Sequence, residues 1–170
     1  MIRIIVWVVM IFGGAGLGFY LDSSIFPGIH TSILFHLASF ILGVLLLKTV
    51  MTISRNTGRI LAKYGRKGDL PRMETNSLVS EGPYKYMRHP MHLGLLFFPM
   101  AFALLVGSPS FILIIAPIEA LFMILMIALI EEPGAEKKFG KEYDKYKSDK
   151  PWFCFKKECL KELFKYVEKN

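Results

Sequence analysis

Apolar and polar positions along this chain fall into blocks rather than into an even mixture. Apolar runs extend from Ile4 to Leu21, from Ser32 to Ile53, from Leu93 to Val106 and from Phe111 to Ile130. A helix needs about 20 mostly apolar residues to cross the hydrocarbon core of a bilayer. The first, second and fourth runs approach or meet that length. The third is short and contains Pro99, so a tilted short span and a re-entrant hairpin arm both fit it. Asp22, Ser23, Pro27 and Gly28 supply a turn between the first two runs, and Gly107-Ser108-Pro109 supplies one between the last two. In the first run Gly14 and Gly18 lie four apart on one helix face, which suits close helix packing. Beyond the last run, Leu160, Leu163, Phe164 and Val167 recur at helical spacing and predict an amphipathic helix. The pattern predicts an all-α membrane protein with about four transmembrane helices, spans three and four forming a helical hairpin. It divides the chain into two N-terminal spans (1–53), a polar loop (54–92), the hairpin (93–130) and a C-terminal tail (131–170).

Composition agrees with the blocks. Residues of the apolar set make up 53% of the 170 residues, and mean hydropathy is +0.42. The formal net charge of +7 suits nucleic acid or anionic lipid. The long apolar runs select lipid, and no nucleic-acid-binding motif is present. Arg3 followed by apolar residues imitates a secretory signal, but the run continues to Leu21 and more spans follow, so a retained first span is expected. Arg55, Arg59, Lys63, Arg66, Lys67, Arg72, Lys85 and Arg88 crowd the segment from Ser54 to His89, and lysines crowd the tail. The opposite loops, Asp22 to Thr31 and Gly107 to Ser110, hold no Lys or Arg. The positive-inside rule therefore places the central loop and both termini in the cytoplasm. Cys154 and Cys159 lie in that cytoplasmic tail and are expected to be reduced.

Polar groups at membrane depth are costly and need a reason. Glu119 lies inside span four, two residues after Pro117, and reads either as an ion or proton site or as a glutamate packed between helices. His30 lies in the outer loop and His36 near the outer end of span two, too few for a metal site. Leu78 to Gly94 reads LVSEGPYKYMRHPMHLG. Its tyrosines and basic residues are either interfacial anchors or part of a site. Glu131-Glu132 follows the last apolar run and is awkward there, because a helix C-terminus is itself partly negative. Pro133 also disfavours helical geometry at Glu132. A cation should compensate, either a side chain such as Arg88 or a bound cationic ligand.

Together these stretches resemble the integral membrane methyltransferases of the isoprenylcysteine carboxyl methyltransferase and phospholipid N-methyltransferase type. The resemblance rests on Gly82-Pro83-Tyr84, on Arg88-His89-Pro90-Met91-His92-Leu93-Gly94, on Glu131-Glu132-Pro133 after a hairpin, on Phe139-Gly140-Lys141-Glu142-Tyr143-Asp144-Lys145-Tyr146, and on Pro151-Trp152. It covers about Leu78 to Phe155. It implies an S-adenosylmethionine site formed by Leu78, Val79, Tyr84, His89, Pro90, Met91, His92, Gly94, Glu131 and Glu132, with the tail from Lys156 to Glu168 closing over it. That tail reads equally as a helix lying in the membrane interface. Two positions depart from the pattern. His92 stands where the group has Tyr, and Ile127 stands where the isoprenylcysteine enzymes have an Arg four residues before the first Glu.

The resemblance implies methyl transfer to a membrane lipid or lipidated acceptor. The cofactor brings the activated methyl, and the protein aligns the reactants and excludes water. Arg88, His92 and Glu132 are the candidates for a catalytic role. His89, His92 or Glu132 would take the proton of an amine acceptor. Three other functions fit the same sequence: a non-enzymatic membrane protein on a degenerate scaffold, an ion or solute transporter centred on Glu119, and an anchor for anionic lipid.

Overall fold

The computed structural model describes residues 2–69 and 74–165, with side chains from Ile5 onward; Arg72, Val167 and Glu168 lie outside them. Every regular element among the described residues is helical. In chain order these are α1 (Ile2–Ile25), the short α2 (Pro27–His30), α3 (Ile33–Tyr64), a 3-10 turn (Gly82–Lys85), α4 (Pro90–Leu95) and α5 (Phe98–Val106). A helix over Phe111–Phe139 follows as α6. Then come α7 (Lys141–Asp149) and α8 (Lys157–Phe164).

Among the described residues three helices are long and apolar enough to cross a membrane: Ile5–Ile25, Ile33–Tyr64 and Phe111–Phe139. The expected third span is instead the shorter apolar segment Pro90–Val106, divided into α4 and α5 by a turn at Leu96-Phe97. Pro99 lies in the first turn of α5, where its missing N–H does no harm. The chain is a multi-pass membrane protein.

Contacts divide the chain into two compact units, residues 1–50 with 96–125 and residues 51–95 with 126–170. In the first, α1 packs on α5 and on the start of α6. Trp7 meets Phe98 edge-on at 5.8 Å and Phe12 meets Phe102 at 5.9 Å. The Gly14/Gly18 face lies against α6, and a Cβ on Gly18 would stand 2.6 Å from Ser108 Oγ and 2.9 Å from Phe111 Cβ. The buried Asp22 side chain closes this unit by accepting a 2.7 Å hydrogen bond from the Ser110 backbone N–H. Many large apolar side chains of α1 and α3, such as Phe12, Leu34, Leu45 and Met51, stay exposed, as suits a surface whose solvent is lipid.

The second unit carries the polar loop and the tail. α3 does not stop at Ile53 but continues through Arg55 and Arg59 to Tyr64. The loop after it folds back: Asn76 bonds the N–H and the carbonyl of Lys67, both at 2.8 Å, and its own N–H reaches Gly65 O. α6 also runs further than expected. It passes through Glu131, Glu132 and Pro133 by way of a π turn over Ile127–Glu131. The π turn ends just before Pro133, which stands in the first turn of the α segment that follows, where its missing N–H costs least. Glu131-Glu132 is therefore not at a helix C-terminus, and the dipole argument against the pair does not apply. Cys154 and Cys159 correct the expectation of free thiols. The chain turns back at the start of α8, brings their Cα atoms to 5.9 Å and joins them in a disulfide, a separation within the range such bonds require.

Candidate active site

The second unit holds an open cleft of about 170 Å³. Four sequence segments build its wall. α3 contributes Leu61. The loop contributes Thr75, Ser77, Leu78, Val79, Tyr84, Arg88 and His89. α6 contributes Glu131, Ala135 and Phe139, and α7 contributes Tyr143 and Tyr146. His89 and Glu131, far apart in sequence, share this one cavity.

Local sequence explains how these side chains arrive. Gly82 adopts φ +57°, and a Cβ there would stand 2.8 Å from Ile60. The turn can thus press Tyr84 onto Ile60 and Val79, with which it forms a small apolar cluster. Gly140 adopts φ +54° and ψ −134°, a conformation open to glycine almost alone. It breaks α6 from α7 and turns Tyr143 and Tyr146 back toward the loop. The Tyr146 hydroxyl reaches the carbonyls of Tyr84 at 2.5 Å and Met87 at 3.1 Å. From the other side, Arg88 N–H donates to Pro151 O at 3.0 Å and His89 N–H to Trp152 O at 3.1 Å. Trp152 also sits edge-on to His89 and beneath the Arg88 guanidinium. The loop carrying Arg88 and His89 is therefore held between α7 and the tail.

The two adjacent carboxylates occupy different places. Glu132 is buried and lies behind the cavity wall. Its Oε2 accepts from Arg88 Nη1 at 2.7 Å, and its Oε1 accepts from His89 Nε2 at 2.5 Å and from the Tyr143 hydroxyl at 2.7 Å. Lys147 Nζ stands 3.8 Å from Oε2. Arg88 therefore compensates Glu132, one of the two alternatives open in the sequence. Glu131 is half-buried and lines the cavity.

Electrostatics follow from this packing. Burial holds His89 below its ordinary pKa of 6.5, against the opposing pull of its hydrogen bond to Glu132. The ring is neutral near pH 7, with Nε2–H donated to the carboxylate. Burial also pushes the hydroxyls of Tyr84, Tyr143 and Tyr146 above the ordinary phenol range. All three stay protonated and available as donors. Two buried polar atoms of cavity residues, Tyr84 Oη and Arg88 Nε, have no hydrogen-bond partner among the described residues. Such groups are costly unless something satisfies them.

Of the residues singled out in the sequence, Leu78, Val79, Tyr84, Arg88, His89 and Glu131 line the cleft. Pro90, Met91, His92, Gly94 and Glu132 do not. Pro90 opens α4. His92 meets the His89 ring edge-on at 5.4 Å. Gly94 lets α4 approach α3, since a Cβ there would lie 2.9 Å from Ile53 Cγ2. Leu61, Thr75, Ser77 and Ala135 line the cleft without any sequence signal that marks them. Tyr143 and Tyr146 were visible as a spaced pair but not as part of the wall. Glu119, the other buried acid of α6, belongs to the first unit. One of its carboxylate oxygens has no hydrogen-bond partner among the described residues, and it lies against Gly14 and Phe111. No group of metal-ligating side chains occurs among the described residues.

The family model described as phospholipid methyltransferase matches residues 32–142, which is more than half of the chain and takes in most of the cleft. No curated protein and no solved structure matches it.

Proposed function

The chain belongs to the phospholipid methyltransferase family, and from that premise we propose that it transfers a methyl group from S-adenosylmethionine to a lipid-like acceptor, with the cleft as the cofactor site. The observation that carries this reading is the pairing of Glu131 with Tyr84 in one cavity wall. A carboxylate there can accept hydrogen bonds from the ammonium or ribose diol of the cofactor, and the Tyr84 hydroxyl and Arg88 Nε, without a partner among the described residues, call for acceptors that a polar ligand provides. The donor set therefore fits the group.

When bound, S-adenosylmethionine supplies a methyl already activated by its sulfonium. The chain's own residues bind, orient and exclude water. Leu61, Leu78, Val79 and Phe139 give the cleft apolar walls. Arg88, His89, Tyr143 and Glu132 form a closed network that fixes the wall next to Glu131, so the binding groups need little reorganisation. Where the acceptor is an amine, it attacks only in its neutral form. Of His89, His92 and Glu132, His89 is the one that both lines the cavity and is kept neutral by burial, which makes it the proton acceptor. Glu132 is committed to three hydrogen bonds. The cleft is lined by the polar loop and α7, segments that the positive-inside rule assigns to the cytoplasm, where a soluble cofactor is available, and an apolar acceptor would enter from the bilayer.

The test is binding and transfer with the purified protein. Wild type binds S-adenosylmethionine in calorimetry and labels extracted membrane lipid from the methyl-labelled cofactor. Glu131→Gln weakens binding by about 10- to 100-fold, the value of a charge-assisted hydrogen bond. Equal affinities for the two proteins would remove Glu131 from the site, and no binding to wild type would end the reading.

A further inference from the structure

We propose that α8 and the turn before it form a foot that docks into the headgroup layer of anionic phospholipid. Nothing in this rests on methyl transfer. α8 has two apolar faces. Cys159 and Leu163 point inward and pack with Ile53, Met87 and Leu93. A helix turns about 100° per residue, so Leu160 and Phe164 come next around it. These are exposed, and Phe155 in the preceding turn is 67% exposed. Continuing around the helix come Lys157, Lys161 and Lys165, and only then Glu158 and Glu162. Lys165 lies 3.5 Å from Glu162 at the edge of that lysine row. The exposed apolar face is thus bordered by cations, with the acids set beyond them. A groove on this side is lined by Lys157, Leu160, Lys161, Glu162, Phe164 and Lys165.

The height of α8 along its own neighbour decides what covers this face. Asn56 Nδ2 donates to Leu163 O at 3.1 Å, and Ile53 is in the same apolar cluster as Leu163. On α3, Ile53 ends the apolar run, and Arg55, Arg59 and Lys63 follow it. α8 is therefore fastened where a membrane-crossing helix changes from lipid-facing to charged, the level of the headgroups. An apolar stripe flanked by lysines at that level has the composition of an interfacial helix. The lysines favour anionic over zwitterionic headgroups. A second copy of the chain would have to bring acids to the lysine row, and the matching face of α8 offers them only beyond it.

The experiment uses the full chain reconstituted in vesicles of phosphatidylcholine with or without phosphatidylglycerol, the acyl chains brominated just below the headgroup. Phe164→Trp reports the foot, with wild-type emission subtracted for Trp7 and Trp152. Phe155→Trp reports it independently should the first variant fail to fold. Phosphatidylglycerol should increase quenching of the new tryptophan, and high salt should reverse the increase. In the triple variant Lys157→Gln, Lys161→Gln, Lys165→Gln the preference for anionic lipid should disappear, each lysine accounting for on the order of fivefold. Absence of quenching in every vesicle would overturn the docking. Equal quenching with and without phosphatidylglycerol would overturn the anionic recognition. Emission that tracks the protein-to-lipid ratio would assign the face to a second copy, and emission that responds to added S-adenosylmethionine instead of lipid would assign it to closure over the cleft; each would overturn the proposal.

Discussion

Glu119 and Glu132 are carried by the same helix and are both buried, at 6% and 3% exposure, yet their surroundings differ completely. Around Glu132 the chain has gathered a guanidinium, an imidazole and a phenol within hydrogen-bond distance, with a lysine at 3.8 Å. Those partners come from two separate stretches, the loop at 88–89 and α7. Glu119 lies where a glycine of α1 leaves room for it, and one of its oxygens finds no hydrogen-bond partner among the described residues. Burial alone therefore does not mark a working acid. What distinguishes the Glu132 region is that distant parts of the sequence converge on one carboxylate and, in doing so, fix the wall of a cavity beside it.

The sharpest way to break the comparison is to remove the organising carboxylate. Glu132→Ala leaves Arg88 buried without its counter-charge, and loss of one partner of a buried ion pair costs about 3–5 kcal/mol. Chemical unfolding in detergent should show that loss. A cost under about 1 kcal/mol, the range of an exposed pair, would mean that Glu132 does not hold the region together. The double variant Arg88→Met, Glu132→Leu, which removes both charges, should recover much of the stability while leaving the cleft without its fixed wall.

The next largest effect belongs to the Glu119 region, through its glycine. A Cβ on Gly14 would lie 2.7 Å from Glu119 Oε1 and 3.0 Å from the Phe111 ring, and Phe111 is fully buried. Gly14→Ala should destabilise by about 1–3 kcal/mol through overpacking. Because that cost is steric, the second substitution Glu119→Ala should relieve part of it. A Gly14→Ala protein as stable as wild type would show that α1 and α6 do not approach closely at this point.

A smaller effect, seen as a slope, distinguishes the two regions by pH. Burial lowers the His89 pKa in the folded protein below its ordinary value of 6.5. Between the two values the unfolded chain binds more protons than the folded one, so stability is full above the unfolded value and declines as pH falls through it toward the folded value. The thermal midpoint should therefore fall on acidification below about pH 6.5, the unperturbed imidazole value, and His89→Gln should flatten this part of the profile. An unchanged slope in the variant would assign the acid sensitivity to another group.

Much of this was legible before any coordinates, and the reasons differ by element. The long spans were visible because a bilayer demands an apolar run of fixed length, and α1, α3 and α6 supply it. Glu131, Tyr84 and His89 were visible because order and spacing tie them to a recognisable pattern. Their convergence on one cleft was not, because Gly82 and Gly140 steer Tyr84 and α7 into place, and a glycine in a sequence does not say in which direction the chain will turn. The continuation of α6 past Pro133 does not follow from the sequence for a related reason: proline disfavours a helix interior but is tolerated in the first turn of the α segment that follows the π turn. Leu61, Thr75, Ser77 and Ala135 carry no pattern of their own and become cavity residues only through what folds beside them. The disulfide was missed because the compartment argued against it, whereas the local turn brings the two cysteines together.

The smallest expected effect is also the one that tests the rival reading of the chain. Glu119→Gln keeps the shape of the side chain and changes only its charge and one acceptor. A transporter built on this residue would lose its activity. If Glu119 is only packed into the space that Gly14 leaves, the variant should bind S-adenosylmethionine and label lipid within about twofold of wild type, and its stability should move by no more than about 1 kcal/mol, the net worth of an ordinary hydrogen bond. Glu131→Gln under the same assay should give the opposite result if the carboxylate that lines the cleft holds the cofactor. A Glu119→Gln protein that folds but is inactive, beside an active Glu131→Gln protein, would reverse the roles assigned to the two regions.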